Sequence, residues 1–148
     1  MAKESKYYQG KYTPKNPEKY TGDPTAIIYR SSWELKFMNW CDSNSAVLQW
    51  SSEETVIPYR CGTDGRVHRY FVDFKCKMMT RSGPRTYLIE IKPDTQTRPP
   101  NPGKRKTRRY LQESMTFIKN QSKWKYAEQY CKDRGWEFMI LTEKHLGI

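Results

Sequence analysis

The sequence predicts an α/β class, a mixed sheet flanked by helices, and three observations carry that prediction. A helix-period stretch, SSWELKFMNWCD, opens the folded part; β-rich runs fill residues 47–92; a helical segment and one last apolar strand close the chain. Strands gathered between helices pack as a sheet covered by helices. At 148 residues the chain fits one domain with its own core. Residues 1–25 read as a basic, aromatic N-terminal arm and residues 26–148 as a single domain with a basic, proline-rich loop at 93–109.

In the arm, lysines at 3, 6, 11, 15 and 19 alternate with tyrosines at 7, 8, 12 and 20, and no apolar period appears. It reads as an extended segment, either a solvated tail or a strand-tracking one, with cations for phosphates and rings for stacking. In the first helix, Trp33, Phe37, Trp40 and Cys41 recur at amphipathic spacing, and Ser31 with Glu34 forms the S-x-x-E capping box that starts it. VLQWSSE, VIPYR and a long RVHRYFVDFKCKMM then read as strands. TDG at 63–65 and the Gly-Pro of TRSGPRT mark turns, so the long strand and TYLIEIK form a hairpin. Tyr110 to Arg134 is helical in composition, with a break expected near Asn120 to Ser122 and a stop at Gly135. WEFMILTE, apolar on both faces, reads as a covered central strand.

Lys and Arg number 27 against 16 acids, a net charge of +11, and aromatics make up 14% of the chain. Such a surface favours a polyanion, most simply nucleic acid, over a membrane. The start, MAKESKYYQGKY, lacks the apolar core of a signal peptide, and no run approaches the roughly 18 apolar residues of a membrane span. A soluble, intracellular protein is expected. The four cysteines, at 41, 61, 76 and 131, show no C-x-x-C spacing, so neither a zinc knuckle nor a disulfide framework is signalled. His68 and His145 lack the spacing of a helical zinc site.

The loop at 93–109 holds six basic residues and one acid, so it cannot be core. Lys104, Arg105, Lys106, Arg108 and Arg109 are its candidates for phosphate contact, and a solvated loop is the plainer alternative.

The chemistry concentrates in YLIEIKP. Alternation along a strand puts Glu90 and Lys92 on one face, and Asp73, between Val72 and Phe74, joins them if Val72, Phe74, Ile89 and Ile91 are buried together. Two carboxylates about 4 Å apart repel by roughly 4 kcal/mol at an effective dielectric near 20. A divalent cation removes that conflict, and Mg²⁺ prefers oxygen ligands of this kind, with the Ile91 carbonyl a natural third ligand and Mn²⁺ a substitute. Such an ion neutralises a scissile phosphate and activates a water, while Lys92 orients that water or stabilises developing charge. The competing reading is cross-strand pairing of Asp73 with Lys92 and a solvated Glu90 on an open face.

These residues resemble the PD-(D/E)XK nuclease superfamily: Asp73 ending an aromatic strand, a hairpin, then E-I-K. Val72 stands where the superfamily name has proline. Glu34 matches the first-helix acid of many members, and HRYFVDF and KWKYAEQYCKDRGWEFMILTE resemble TnsA-like transposon endonucleases. The resemblance implies a restriction-endonuclease-like core and a Mg²⁺-dependent deoxyribonuclease with Asp73, Glu90, Lys92 and Glu34 at its centre. Asp73, Glu90, Glu34 and the Ile91 carbonyl would be the metal ligands. Length, arm and motif order further resemble bacteriophage nucleases of head completion. That likeness implies action on packaged DNA in the host cytoplasm, virion association, and phage head or neck proteins as partners. A non-catalytic DNA-binding or virion assembly protein with this fold is a second reading, and an RNA-binding module a third.

Overall fold

The structure, a computed structural model, describes residues 9–103 and 107–147. The elements in chain order are β1 (Gly10–Lys11), β2 (Ile28–Tyr29), α1 (Ser32–Ser43), β3 (Val47–Ser52), β4 (Val56–Arg60), β5 (Val67–Phe71), β6 (Phe74–Thr80), β7 (Gly83–Ile91), α2 (Arg108–Arg134), β8 (Glu137–Leu141) and α3 (Glu143–Leu146). The central sheet runs β3-β6-β7-β8. β3, β6 and β7 are antiparallel neighbours, while β8 lies parallel to β7. This is the mixed α/β arrangement expected. β4 and β5 form a separate two-stranded ribbon.

Both sheet faces are covered. On one, α1 lays Trp33, Phe37, Met38 and Cys41 against Trp50, Phe74, Cys76, Ile89 and Ile91. On the other, α2 and the ribbon bury Tyr59, Tyr70, Val72, Leu88, Trp124, Ala127 and Cys131. Each large apolar side chain buried here stabilises by roughly 1.5–3 kcal/mol. β7 is sandwiched between the two clusters, which is why Leu88, Ile89, Glu90 and Ile91 are all buried. The open face expected for Glu90 is therefore not open: α2 closes it. All four cysteines are free and buried.

Several expectations need correction. The long strand is two strands: the chain leaves the ribbon at Phe71, bends through Val72 and Asp73, and enters the central sheet at Phe74. Backbone bonds from Val72 N to Thr55 O and from Glu53 N to Asp73 O hold the bend. Helix α2 runs unbroken through Asn120–Ser122, because Asn120 is buried and the Ser122 hydroxyl bonds the Ile118 carbonyl one turn back rather than capping a new helix. β8 is an edge strand, not a central one. Trp40 lies on the rim of the α1 stripe, 41% exposed and stacked on Phe37.

Residues 9–25 do not form a free arm. Tyr12 and Tyr20 are buried edge-on against Trp50. The buried Asp42 carboxylate accepts hydrogen bonds from Lys15 N and Asn16 N. Lys19 Nζ donates to the carbonyls of Cys41, Asp42 and Asn44, so it satisfies the C-terminal end of α1. Lys3, Lys6, Tyr7 and Tyr8 lie outside the described residues. No described helix is long and apolar enough to cross a membrane.

Candidate active site

The β6–β7 hairpin sets the site. Its register pairs Phe74 with Ile89, so Asp73, at the bend before β6, comes beside the end of β7. Asp73 Oδ2 accepts the Ile91 backbone N–H at 2.9 Å, which fixes the carboxylate against the Glu90–Lys92 segment. Glu90 is only 3% exposed. Its Oε1 accepts the Tyr70 hydroxyl at 2.6 Å, and its Oε2 lies 3.5 Å from Lys92 Nζ. The pairing of Asp73 with Lys92 over a solvated Glu90 is thus not what forms: Lys92 pairs with Glu90, and Glu90 is buried.

Burial pushes the Asp73 carboxyl well above the usual carboxylate range, the neighbouring Glu90 charge adds to this, and the Ile91 N–H opposes it. Burial likewise raises Glu90, against the pull of Lys92, Tyr70 and Lys123. Two adjacent carboxyls, one buried and one half-buried, that resist ionising side by side are a site short of positive charge.

Glu34 sits in the first turn of α1, where its N–H bonds the Ser31 hydroxyl at 3.1 Å and its Oε1 accepts from Arg30 N at 3.4 Å. Half of the expected capping box thus forms, Ser31 capping the Glu34 N–H while the Glu34 carboxylate takes the Arg30 N–H instead of that of Ser31, and Glu34 also lies close enough to Asp73 to raise its pKa. Among the described residues no three His, Cys, Asp or Glu side chains group tightly enough to hold a metal by themselves. The oxygen donors that fit a hard cation are Asp73, Glu90 and the adjoining backbone, with solvent completing the shell.

Two further residues at the site lie inside the stretches HRYFVDF and KWKYAEQYCKDRGWEFMILTE, yet neither is among the candidate site residues that the sequence singles out. Tyr70, on the inner face of the ribbon, clamps Glu90. Lys123, on α2, sits with Nζ 5.4 Å from the centre of the Tyr70 ring and within electrostatic reach of Glu90, Lys92 and Asp73. Burial lowers its pKa. A signal for Lys123 does exist: it falls three residues after Asn120 and four before Ala127, on the stripe that α2 turns inward, where a lysine is out of place.

Of the five basic residues expected at phosphates, Arg108 and Arg109 open α2 and are exposed, with Arg109 Nε 3.3 Å from Glu113. Lys104, Arg105 and Lys106 lie outside the described residues.

The fold and the acid–acid–lysine centre define a class, and the comparisons agree with it. A family model described as TnsA-like endonuclease N terminal matches residues 44–143, so the chain belongs to the TnsA-like endonuclease family. The head completion nuclease of Enterobacteria phage T4 is 43% identical over 143 residues, 94% of this chain and 93% of the T4 protein. Asp73, Glu90 and Lys92 fall inside the family match, and Glu34 precedes it. The likeness to TnsA-like endonucleases read from the motifs is borne out, and the mixed, helix-flanked sheet agrees with a restriction-endonuclease-like core.

Proposed function

We propose that this nuclease acts in bacteriophage head completion, hydrolysing DNA phosphodiester bonds in a PD-(D/E)XK-type site that requires Mg²⁺, with Mn²⁺ as a substitute. The observation that carries the reading is the half-buried Asp73 beside the buried Glu90, held by Ile91 N–H and Tyr70 O–H and flanked by Lys92. Asp73, Glu90 and the Ile91 carbonyl would hold the ion, and Glu34 would join through solvent. When bound, the ion supplies Lewis-acid stabilisation of the scissile phosphate and a water of lowered pKa.

The protein's own residues do the rest. Tyr70 favours the ionised form of Glu90 and aims it by donating to one oxygen, leaving the other for the cation and Lys92. Ile91 N–H does the same for Asp73. Lys92 stands beside the carboxylates and orients the attacking water or stabilises charge on the phosphate. Lys123 adds a second positive charge from the α2 side, where a phosphate oxygen or the leaving oxygen gains negative charge. Arg108, Arg109 and the basic run before them bind flanking phosphates. Packaged DNA is the substrate on this reading, the host cytoplasm the site of action with virion association to follow, and head or neck proteins the partners.

Supercoiled plasmid incubated with the protein should be nicked or cut with Mg²⁺, spared with EDTA, and spared by Glu90→Gln at matched DNA binding. Undiminished cleavage by Glu90→Gln would sink the assignment.

A further inference from the structure

The inward stripe of α2 changes character along its length. From Trp124 to Cys131 it is apolar and seals the core, but from Arg109 to Asn120 it presents Arg109, Gln112 and Asn120. Facing this polar half is the segment that leaves β7 just after Lys92, a short 3-10 turn at Asp94–Thr97 followed by Arg98. Between them lies a cavity of about 450 Å³ lined by Gln96, Arg98, Arg109, Gln112, Phe117 and Asn120 among others.

Three features say what this cavity suits. First, Asn120 is 3% exposed, yet its Nδ2 has no hydrogen-bond partner among the described residues. A buried donor left unmade is costly, so an acceptor entering the cavity that Asn120 lines would satisfy it. Second, the charges on the walls already have partners: Arg98 is 2.8 Å from Asp94, and Arg109 is 3.3 Å from Glu113. Beside them the lining is mostly neutral, with Gln96, Gln112, Thr116 and Asn120 offering donors and acceptors. Third, Phe117 supplies an aromatic wall, so the lining offers a flat apolar surface and polar edges together. That combination matches a nucleobase, which stacks on its faces and hydrogen-bonds at its rim.

The position is equally specific. One wall starts at Thr95, three residues after Lys92, and on the other Asn120 precedes Lys123 by one helical turn, so both walls continue into segments that carry a lysine of the carboxylate centre.

We propose that this cavity receives one unstacked base of the DNA strand, from a nucleotide next to the scissile phosphate, with Asn120 and Gln112 bonding its edge and Phe117 packing on its face. The proposal rests on the nuclease reading of the site. Unstacking costs least where a base is mispaired or at a frayed end, so the cavity favours such positions over uninterrupted duplex. It also gives the enzyme a base preference beside the cut that phosphate contacts alone do not provide.

The test uses the full chain carrying Glu90→Gln, so that bound DNA stays intact, and a set of duplexes with 2-aminopurine moved one position at a time across the bound region. On binding, fluorescence should rise several-fold at one position, more strongly when that position is mispaired, and the rise should be lost with Gln112→Ala or Asn120→Leu added. Gln112 is exposed, so its variant reads the contact without endangering the fold. With Glu90 restored, sequencing of the cleaved ends should show a base preference beside the cut that both substitutions flatten. Tight DNA binding without a rise at any position, or a rise that both variants keep in full, overturns the proposal. So does a uniform loss of affinity across all sequences with no fluorescence change, the signature of a phosphate contact. Failure of the catalytic reading is seen separately, as wild-type plasmid left uncut with Mg²⁺, and does not alter the fluorescence experiment.

Discussion

The Tyr70 hydroxyl donates to Glu90 Oε1 at 2.6 Å, linking the inner face of the ribbon to β7, the central strand of the candidate site. Both groups are buried, and burial beside Glu90 drives the phenol far above its ordinary pKa, so it is a fixed donor at any working pH. The bond selects one orientation of Glu90. Tyr70→Phe should leave the fold intact and reduce metal affinity or activity by about 10–100-fold, the usual cost of losing a group that orients a ligand. A Mg²⁺ titration of nicking rate checks this; an unchanged half-saturation point and rate would contradict it.

Lys123 approaches the same carboxylates from α2. Removing a positive charge beside a cation site strengthens cation binding, while removing one that stabilises developing negative charge slows the reaction. Lys123→Met should therefore lower the Mg²⁺ concentration needed and still cut the maximal rate by about tenfold or more, with Lys123→Arg in between. Parallel losses in both quantities would mark a merely structural lysine.

The raised pKa of Asp73 carries a stability consequence. Its folded value lies above its unfolded one, which is near 3.9, so the unfolded chain ionises first as pH rises. Stability is whole below that pH and falls as pH climbs toward the raised folded value. Asp73→Asn cannot ionise and can still accept from Ile91 N–H. In EDTA the variant should melt above wild type at neutral pH, and the difference should close in acid. A variant that melts lower at neutral pH would contradict the account.

Lys19 divides structure from DNA binding. Its three carbonyl contacts at the end of α1 predict that Lys19→Ala loses roughly 1–3 kcal/mol of stability. DNA affinity measured against salt should keep its slope, on the order of −5 if about six phosphates are neutralised. Arg108→Ala with Arg109→Ala should do the reverse, lowering the slope by about two and leaving the melting temperature nearly unchanged.

What the sequence makes legible follows from period. Alternation places Glu90 and Lys92 together, and a short turn pairs β6 with β7, but Asp73 joins them by another route than one shared buried face: Val72 packs on the α2 side and Phe74, Ile89 and Ile91 on the α1 side, and the bend between them carries the carboxylate to the Ile91 N–H. Covering is not readable from local pattern: nothing local says that α2 lies over Glu90 or that Tyr70, on the ribbon, reaches it. The bend at Val72–Asp73 leaves no local mark because both sides of it are β-rich, and only long-range bonds to Thr55 and Glu53 show the break. Residues 9–25 mislead for a related reason. Tyr12, Tyr20 and Lys19 have no periodic pattern because each is held by tertiary contacts, with Trp50 or the end of α1, rather than by a repeating face.

The central claim is that Asp73 and Glu90 together bind a divalent cation. Crystals of the protein soaked in Mn²⁺ and measured at the manganese edge test it most directly. An anomalous peak is expected within about 2.0–2.3 Å of a carboxylate oxygen of Asp73, one of Glu90 and the Ile91 carbonyl, with its loss in Asp73→Asn. Full occupancy at another site, with Asp73 and Glu90 uncoordinated, would contradict it.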